Sequence, residues 1–356
     1  MIPDGEMMPD NDKKVVSIKT LAAYLNMSHA TVSRALNDKS VISEETKERV
    51  REAAKKFGYV ANSGARLVRG MRGRLVGLII PDVQNDFYST VAKILAQSCA
   101  SEGLELILAV SDDDSALEAL HIRSMLEARV AGIVITPTIG LNQQEARFLE
   151  SVPCVQLIRR HELIRANYIC IDDQQGTKCA TAHLLALGHR RIGFIGGSRQ
   201  LSTSADRLTG YQAALFEQNI RIQKQFIALG PPRPAFGCDA MKQLLSLDQT
   251  PTAFVMGSSQ LTLGALQALK QLNLSVPEHI SLVGYGDPPW FELSAPPITT
   301  ISLPVEALSQ RAAVDLFYQI NGASLGCKNQ DNIMAFSPTL RVRQSTKMLK
   351  NEAFIP

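Results

Sequence analysis

The stretch SHATVSRALND, Ser28 to Asp38, sets Thr31, Ser33, Arg34 and Asn37 around a short helix that has only Val32, Ala35 and Leu36 to bury. Eleven residues cannot enclose a core, but they can be held as a probe against a polar, charged partner. The neighbouring stretches supply the holder. Ser17 can cap a helix over IKTLAAYLN, where Leu21, Ala22 and Leu25 recur at helical spacing. Asn26-Met27 turns the chain, and Ser28 caps the second helix. Ser43 caps a third, with Glu44 and Glu45 in the first turn, where the helix dipole favours acids, and Lys55 and Lys56 in the last. Val50, Ala53, Ala54 and Phe57 form its apolar stripe, and Gly58 its stop. Two helices joined by a tight turn and braced by a third form a helix-turn-helix, whose second helix enters the DNA major groove by its N-terminal end. His29 and Ala30 then face base edges, and the planar fork of Arg34 can read a guanine. Ser28, Thr31, Ser33 and Asn37 can donate to phosphates, with Ser17 and Tyr59 as flanking contacts. The alternative is an ordinary helical hairpin with a polar outer face.

Charge favours the DNA reading. The 356-residue chain carries a formal net charge of +3, yet residues 13–74 hold 14 Lys and Arg against 5 Asp and Glu. A basic head on a near-neutral body suits a polyanion, because phosphate neutralisation supplies most non-specific affinity. The chain is 45% hydrophobic with no run long enough for a membrane span, so it reads as globular, in two or three domains. The first residues, MIPDGEMMPDNDKK, lack the basic start and apolar stretch of a signal peptide, which predicts a cytoplasmic protein. Six cysteines without a C-x-x-C pair read as free thiols.

From Arg74 the texture changes. Short apolar runs (LVGLII, LELILAV, GIVITP, CVQLI, YICID, RIGFIGG, QFIAL, AFVM, ISLVGYG) alternate with amphipathic helices. Nine such strands predict an α/β body of two doubly wound parallel-sheet subdomains, with a ligand in the cleft between strand ends. The break between them is expected near ICIDDQQG, Ile169 to Gly176.

TVSRALN followed by VISEETKERVREAAKKFGYVANSGARLVRG resembles the head of the lac-repressor (LacI/GalR) family of bacterial transcription regulators. LVGLIIPDVQNDFYSTV, LLALGHRRIGFIGG, DRLTGYQAAL, VPEHISLVGYGD and PPITTISLP are similar to landmarks of that family's effector domain, which is periplasmic-binding-protein-like in fold. The resemblance implies a disordered tail (1–15), a helix-turn-helix domain (16–60), a hinge (61–73) and an effector-binding and dimerisation domain (74–346). Its N-subdomain would comprise about 74–172 and 304–333, and its C-subdomain about 173–303 and 334–346. A family hinge orders on the operator and wedges an apolar side chain into the minor groove. Here that position is Val68, with Asn62 and Ala65 as neighbouring contacts, although Ala61 replaces the usual proline.

In the cleft, Asn85, Phe87 and Tyr88 follow the first strand, and aromatic faces suit a sugar or a base. Arg207 and Thr203 match the family's ligand-binding loop. Departures from the family pattern are Ile158 and Arg159-Arg160 after CVQL, Ser258-Ser259 after AFVM, and Gly286-Asp287 in GYGD. Hydroxyl-gripping acids are thinned out while arginines remain, which points towards a sugar acid or sugar phosphate. Ser258, Asp287 and Trp290 complete the candidate wall. No catalytic frame, metal spacing or cofactor loop is found, so an enzyme is not expected. The expected protein is a homodimeric, operator-binding regulator, most simply a repressor, controlled by a sugar or sugar derivative. The rivals are a small-molecule binding protein whose head docks another protein, and a constitutive DNA-binding factor with a degenerate cleft.

Overall fold

The computed structural model describes residues 16–36, 41–57, 59, 73–322 and 333–349. The chain divides into two compact units between residues 71 and 72. Asn37, Asn62, Ala65 and Val68, the expected tail and nearly all of the expected hinge lie outside the described residues.

The first unit holds α1 (Ile18–Tyr24), α2 (His29–Leu36) and α3 (Glu44–Lys56). One device starts all three helices. Ser17, Ser28 and Ser43 each accept the amide of a threonine three residues on, at 3.3, 3.0 and 3.4 Å, and share a hydroxyl contact with that threonine. Asn26 turns the chain between α1 and α2 at φ 50°. Leu21, Ala22, Val32, Ala35, Val50 and Ala53 form the small core, flanked by Leu36, Ala54 and Phe57, which are only partly buried. Tyr24 meets Phe57 edge-on at 4.6 Å, and the Lys56 ammonium donates to the Tyr24 hydroxyl, tying α1 to α3. Ser33 departs from expectation. It is only 7% exposed, so its hydroxyl is not open to solvent as an outer-face contact would be.

The second unit is two lobes, each with a six-stranded sheet. Lobe 1 holds β1 (Leu75–Ile80), β2 (Glu105–Val110), β3 (Gly132–Ile135), β4 (Cys154–Leu157), β5 (Asn167–Ile171) and β11 (Ile333–Phe336). Lobe 2 holds β6 (Ile192–Gly197), β7 (Ile227–Gly230), β8 (Ala253–Met256), β9 (Ser281–Tyr285), β10 (Thr299–Ser302) and β12 (Thr339–Arg341). Strand orders are β11-β5-β4-β3-β1-β2 and β12-β10-β9-β8-β6-β7. All pairs are parallel except β12 with β10. Most strands read as unbroken apolar runs because helices cover both faces. Lobe 1 carries α4 (Asp86–Ser101), α5 (Ser115–Glu127), α6 (Gln143–Glu150) and α12 (Val305–Ile320). Lobe 2 carries α7 (Asp173–Ala186), α8 (Ser202–Glu217), α9 (Pro234–Leu245), α10 (Ser259–Gln271) and the short α11 (Pro289–Leu293).

The chain crosses between lobes three times: after β5, between β10 and α12, and at residues 337–338 between β11 and β12. The last crossing falls later than the expected boundary at 333/334, because Ile333–Phe336 pair with Tyr168–Ile171 in lobe 1. Strands β10, β11 and β12 are additional to the nine expected: TTIS and TLR lack the apolar run that marks the others, whereas IMAF has one, only four residues long. On its return to lobe 1, α12 buries Leu308, Ala312, Ala313, Leu316 and Ile320 against the sheet.

The end of the described chain is stitched to lobe 2. Ser345 is fully buried, accepts the Thr299 amide on its hydroxyl at 2.7 Å and the Leu282 amide on its carbonyl at 2.8 Å. His189, 1% exposed, lies beneath this strap and meets Thr252 through Nδ1 at 2.8 Å, and Ser281 and the Lys347 carbonyl through Nε2, each at 3.1 Å. Burial lowers its pKa from the ordinary 6.5; the hydrogen bond with the Lys347 carbonyl works against this, and the charges of His183 and Lys347 reinforce it. The fold therefore holds the ring neutral. A depressed folded pKa gives stability that is present above about 6.5 and lost as pH falls below it.

Two outcomes are expected. His189→Gln, which cannot protonate, should lower the urea midpoint at pH 8 and give a flatter loss between pH 7 and 5 than the parent protein. Equal slopes would remove the buried imidazole from the account. Leu21→Ala should cost the small head about 2–5 kcal/mol. The lowest-temperature transition in calorimetry should shift, while the body's transition stays in place.

Candidate DNA-binding face and ligand cleft

On the first unit, the first turn of α2 presents Ser28, His29 and Ala30 to solvent, with Arg34 exposed one turn on and Thr31 half-buried. Ser17 is exposed and Tyr59 half-buried, its amide bonded to the Ala54 carbonyl at 2.8 Å. The Ser28 and Thr31 hydroxyls share one hydrogen bond at 2.8 Å, and the Thr31 amide donates to Ser28, which fixes the start of the helix. Amide groups at a helix start, with a guanidinium one turn later, can receive a phosphate and read a base edge from one rigid element.

On the second unit, the cleft between the lobes encloses about 720 Å³. The strands contribute from their C-terminal ends, by their last residue or the loop that follows: Asp82, Gln84 and Asn85 after β1, Asp112–Asp113 after β2, Ile158–Arg159 after β4, Gly197–Ser198 at the end of β6, Gly230–Pro234 at the end of β7, Gly257–Gln260 after β8 and Tyr285–Gly286 at the end of β9. Thr203 and Arg207 reach the cleft from α8.

Arg207 is the fixed centre of the lobe 2 wall. Its Nε donates to Asp173 Oδ1 at 2.9 Å and its Nη1 to the Gly257 carbonyl at 2.6 Å. The guanidinium lies 4.0 Å over the Tyr285 ring, and the Tyr285 hydroxyl donates to the same Asp173 oxygen. Gly257 has to be glycine, since a Cβ there would stand 2.9 Å from Gly196 Cα and 3.1 Å from the Ile195 carbonyl. Burial alone would lower the Arg207 pKa, but the charge of Asp173 and the Tyr285 oxygen outweigh it and hold the guanidinium charged.

The lobe 1 wall has a matching pair. Arg159, 5% exposed, donates through Nη1 and Nη2 to the two oxygens of Asp113, the second at 3.3 Å. Burial opposes its charge; Tyr88 and Asp113 restore it. The backbone here is strained. Ile158 has φ 67°, closed by an Arg159 amide to Leu157 carbonyl bond of 2.7 Å, a conformation rare for a β-branched residue. Asp112 and Asp113 are consecutive left-handed residues at φ 52° and 60°. Such strain clusters where a ligand site dictates side-chain direction. Asp114 caps α5 through the amides of Ala116 and Leu117, so the carboxylates of Asp113 and Asp114 have separate tasks. Across the cleft, the Arg160 amide donates to Ser202 Oγ at 3.0 Å, Gln260 to the Gln84 carbonyl at 3.5 Å and Arg233 to the Asp112 carbonyl at 3.4 Å.

Of the residues expected at the ligand, Asn85, Phe87, Tyr88, Arg159, Thr203, Arg207 and Ser258 line this cleft. Asn85 and Ser258 also cap α4 and α10. Two do not line it. Asp287 forms a forked ion pair with Arg343 at 2.8 and 3.1 Å and a further contact with Arg341. Trp290 packs edge-on against Phe291 at 4.4 Å, on the lobe 2 core. The expected free guanidiniums are also corrected, because Arg159 and Arg207 each already hold a carboxylate. Asp113, Asp173, Tyr285 and Arg233 were missed. Asp173 stood in plain view in ICIDDQQG, two residues past a strand, whereas the pairing of Asp113 with Arg159 spans 46 residues and leaves no local signal.

Comparison with known proteins supplies the family. Residues 17–62 match the sequence profile of bacterial regulatory proteins of the lacI family, and residues 181–346 match the periplasmic binding protein-like domain. The transcriptional regulator GalS of Salmonella typhimurium is 28% identical over 345 residues, 96% of this chain and 99% of its own length. The repressor PurR of Haemophilus influenzae is 27% identical, over 94% of this chain and all of its own. A lac repressor dimer bound to operator and the anti-inducer ONPF shares the fold, with TM-score 0.80 and 24% identity over 94% of this chain and 100% of its own. The regulator CelR in complex with cellobiose has TM-score 0.70 and 25% identity over 93% of this chain and 99% of its own. Matched at both ends by family profiles and along nearly its whole length by such regulators, the chain belongs to the lac-repressor (LacI/GalR) family of bacterial transcriptional regulators.

Proposed function

We propose that this protein is a cytoplasmic, dimeric, operator-binding regulator, most simply a repressor, whose hold on DNA is set by a sugar or sugar derivative in the interlobe cleft. The observation that carries the reading is the outer face of α2, where His29 and Ala30 in the first turn and Arg34 one turn on are exposed on a helix whose other face is locked into a core. His29, Ala30 and Arg34 read bases. Ser17, Ser28, Thr31, Asn37 and Tyr59 hold phosphates, and Asn62, Ala65 and Val68 make the minor-groove contact. One small head reads one half-site, so a two-fold pair of chains reads a palindrome. The cleft supports the ligand half of the proposal: it is roomy, polar at its base and bordered by Phe87 and Tyr88. CelR, solved as a complex with cellobiose, provides the parallel for a sugar. A ligand acts only by binding one lobe arrangement more tightly than the other.

The test is to select genomic fragments bound by the full-length protein and measure their affinity by fluorescence anisotropy. Selected sites should be two-fold symmetric. Arg34→Ala should cost about 1–3 kcal/mol on a selected site and relax preference at one base pair of each half-site. Unchanged affinity and preference would remove α2 as the reading helix.

A further inference from the structure

Three arginines line the cleft, and they differ in what they already hold. Arg159 is forked onto Asp113, and Arg207 is clasped by Asp173 and the Gly257 carbonyl. Arg233 has no carboxylate partner among the described residues, but it is exposed, and Asp82 and Asp112 line the same cleft. With the two pairs neutralised, the remaining charges at the cleft are one positive against two negative. Behind Arg159, the buried Glu118 takes the Thr138 amide and hydroxyl at 2.9 and 2.8 Å, within electrostatic reach of the guanidinium. An anion entering here would have to displace Asp113 from the buried Arg159 guanidinium and then stand beside the displaced carboxylate.

We propose that Asp113 sets the charge preference of the cleft: by occupying the Arg159 guanidinium it shuts out anionic ligands and leaves the site selective for an uncharged, hydroxyl-rich one. This rests on the reading of the cleft as the effector site. The two pairs are not equivalent. Asp173 is 3% exposed and held by two donors, which makes it part of the wall. Asp113 is 34% exposed in its side chain and stands on a strained, left-handed loop at the cleft's edge, where ligand and solvent both reach it. It is the one partner whose carboxylate can be removed without hollowing the core. Ile158 is a positioning residue in this scheme, since its turn directs Arg159 at Asp113.

The experiment compares full-length parent protein, Asp113→Asn, Asp113→Ser and the double variant Asp113→Asn/Arg159→Met by thermal shift. The first probe is inorganic phosphate, titrated against chloride at constant ionic strength. Both single variants should be half-saturated at a phosphate concentration roughly tenfold or more below any response of the parent, as expected for a freed charge-assisted donor. The double variant should lose that gain, which separates the cleft from any phosphate bound by the basic head. A second arm pairs glucose with glucuronate and glucose 6-phosphate, and galactose with galacturonate, so that carboxylate and phosphate sources are distinguished. The parent should not favour any charged member over its neutral partner. The proposal is overturned if removing the Asp113 carboxylate leaves the phosphate response unchanged, if the gain survives loss of Arg159, or if the parent prefers a charged sugar. Should Asp113→Asn fail to fold, Asp113→Ser decides the first arm. DNA binding is followed on the same preparations. Its absence from the parent would count against the regulator reading and leave the charge result standing.

Discussion

Parallel pairing is the constraint on which the body depends. Strands that run the same way deliver all their C-terminal ends to one edge of the sheet, and each must be followed by a crossover that starts there. Two such sheets therefore present two rows of loop starts and helix N-termini, and the chain's three crossings hold those rows against each other. Every polar group of the cleft is placed by this arrangement. Asp113 follows β2 and Arg159 follows β4, and assembly of the lobe 1 sheet brings these two together; Asp173 follows β5 and Gly257 follows β8, and in lobe 2 both meet Arg207.

That constraint also explains which features could be read along the chain. The apolar runs of lobe 1 and lobe 2 were visible because a strand covered on both faces has no reason to alternate. The head was visible because its devices are local: Ser17, Ser28 and Ser43 each cap within three residues, and Val32, Ala35 and Leu36 repeat at helical spacing. What escaped was set by tertiary context. Ser33 looks like any exposed helix serine until the three helices pack together and bury it. Asp287 follows a strand as a ligand-gripping acid would, but Arg343, 56 residues on, claims it. Thr299–Ser302 form an interior strand of lobe 2 although three of their four residues carry hydroxyls.

The charge pattern of the cleft is the clearest case. Read singly, Arg159 and Arg207 are free cations, and the acids around them look depleted. In the fold, each has a carboxylate from a different strand end. Buried guanidiniums persist because they are paired, and the pairing leaves fewer donors for a ligand than residue identity suggests. Arg207 keeps part of its fork after holding Asp173 and Gly257, so it can still meet a hydroxyl pair. The strained backbone at Ile158, Asp112 and Asp113 shows where local comfort has been given up to aim these side chains.

The central claim is that the basic head carries its positive charge for DNA. The most direct measurement is the salt dependence of DNA affinity of the full-length protein on a selected site. Each phosphate contact should contribute a slope of about −0.9 in log affinity against log salt, so a dimer making ~6–10 contacts should lose roughly 10³- to 10⁵-fold between ~50 and 200 mM. A slope of that size is the predicted result. An affinity indifferent to salt, or no DNA binding at low salt, would contradict the account and assign the head another partner.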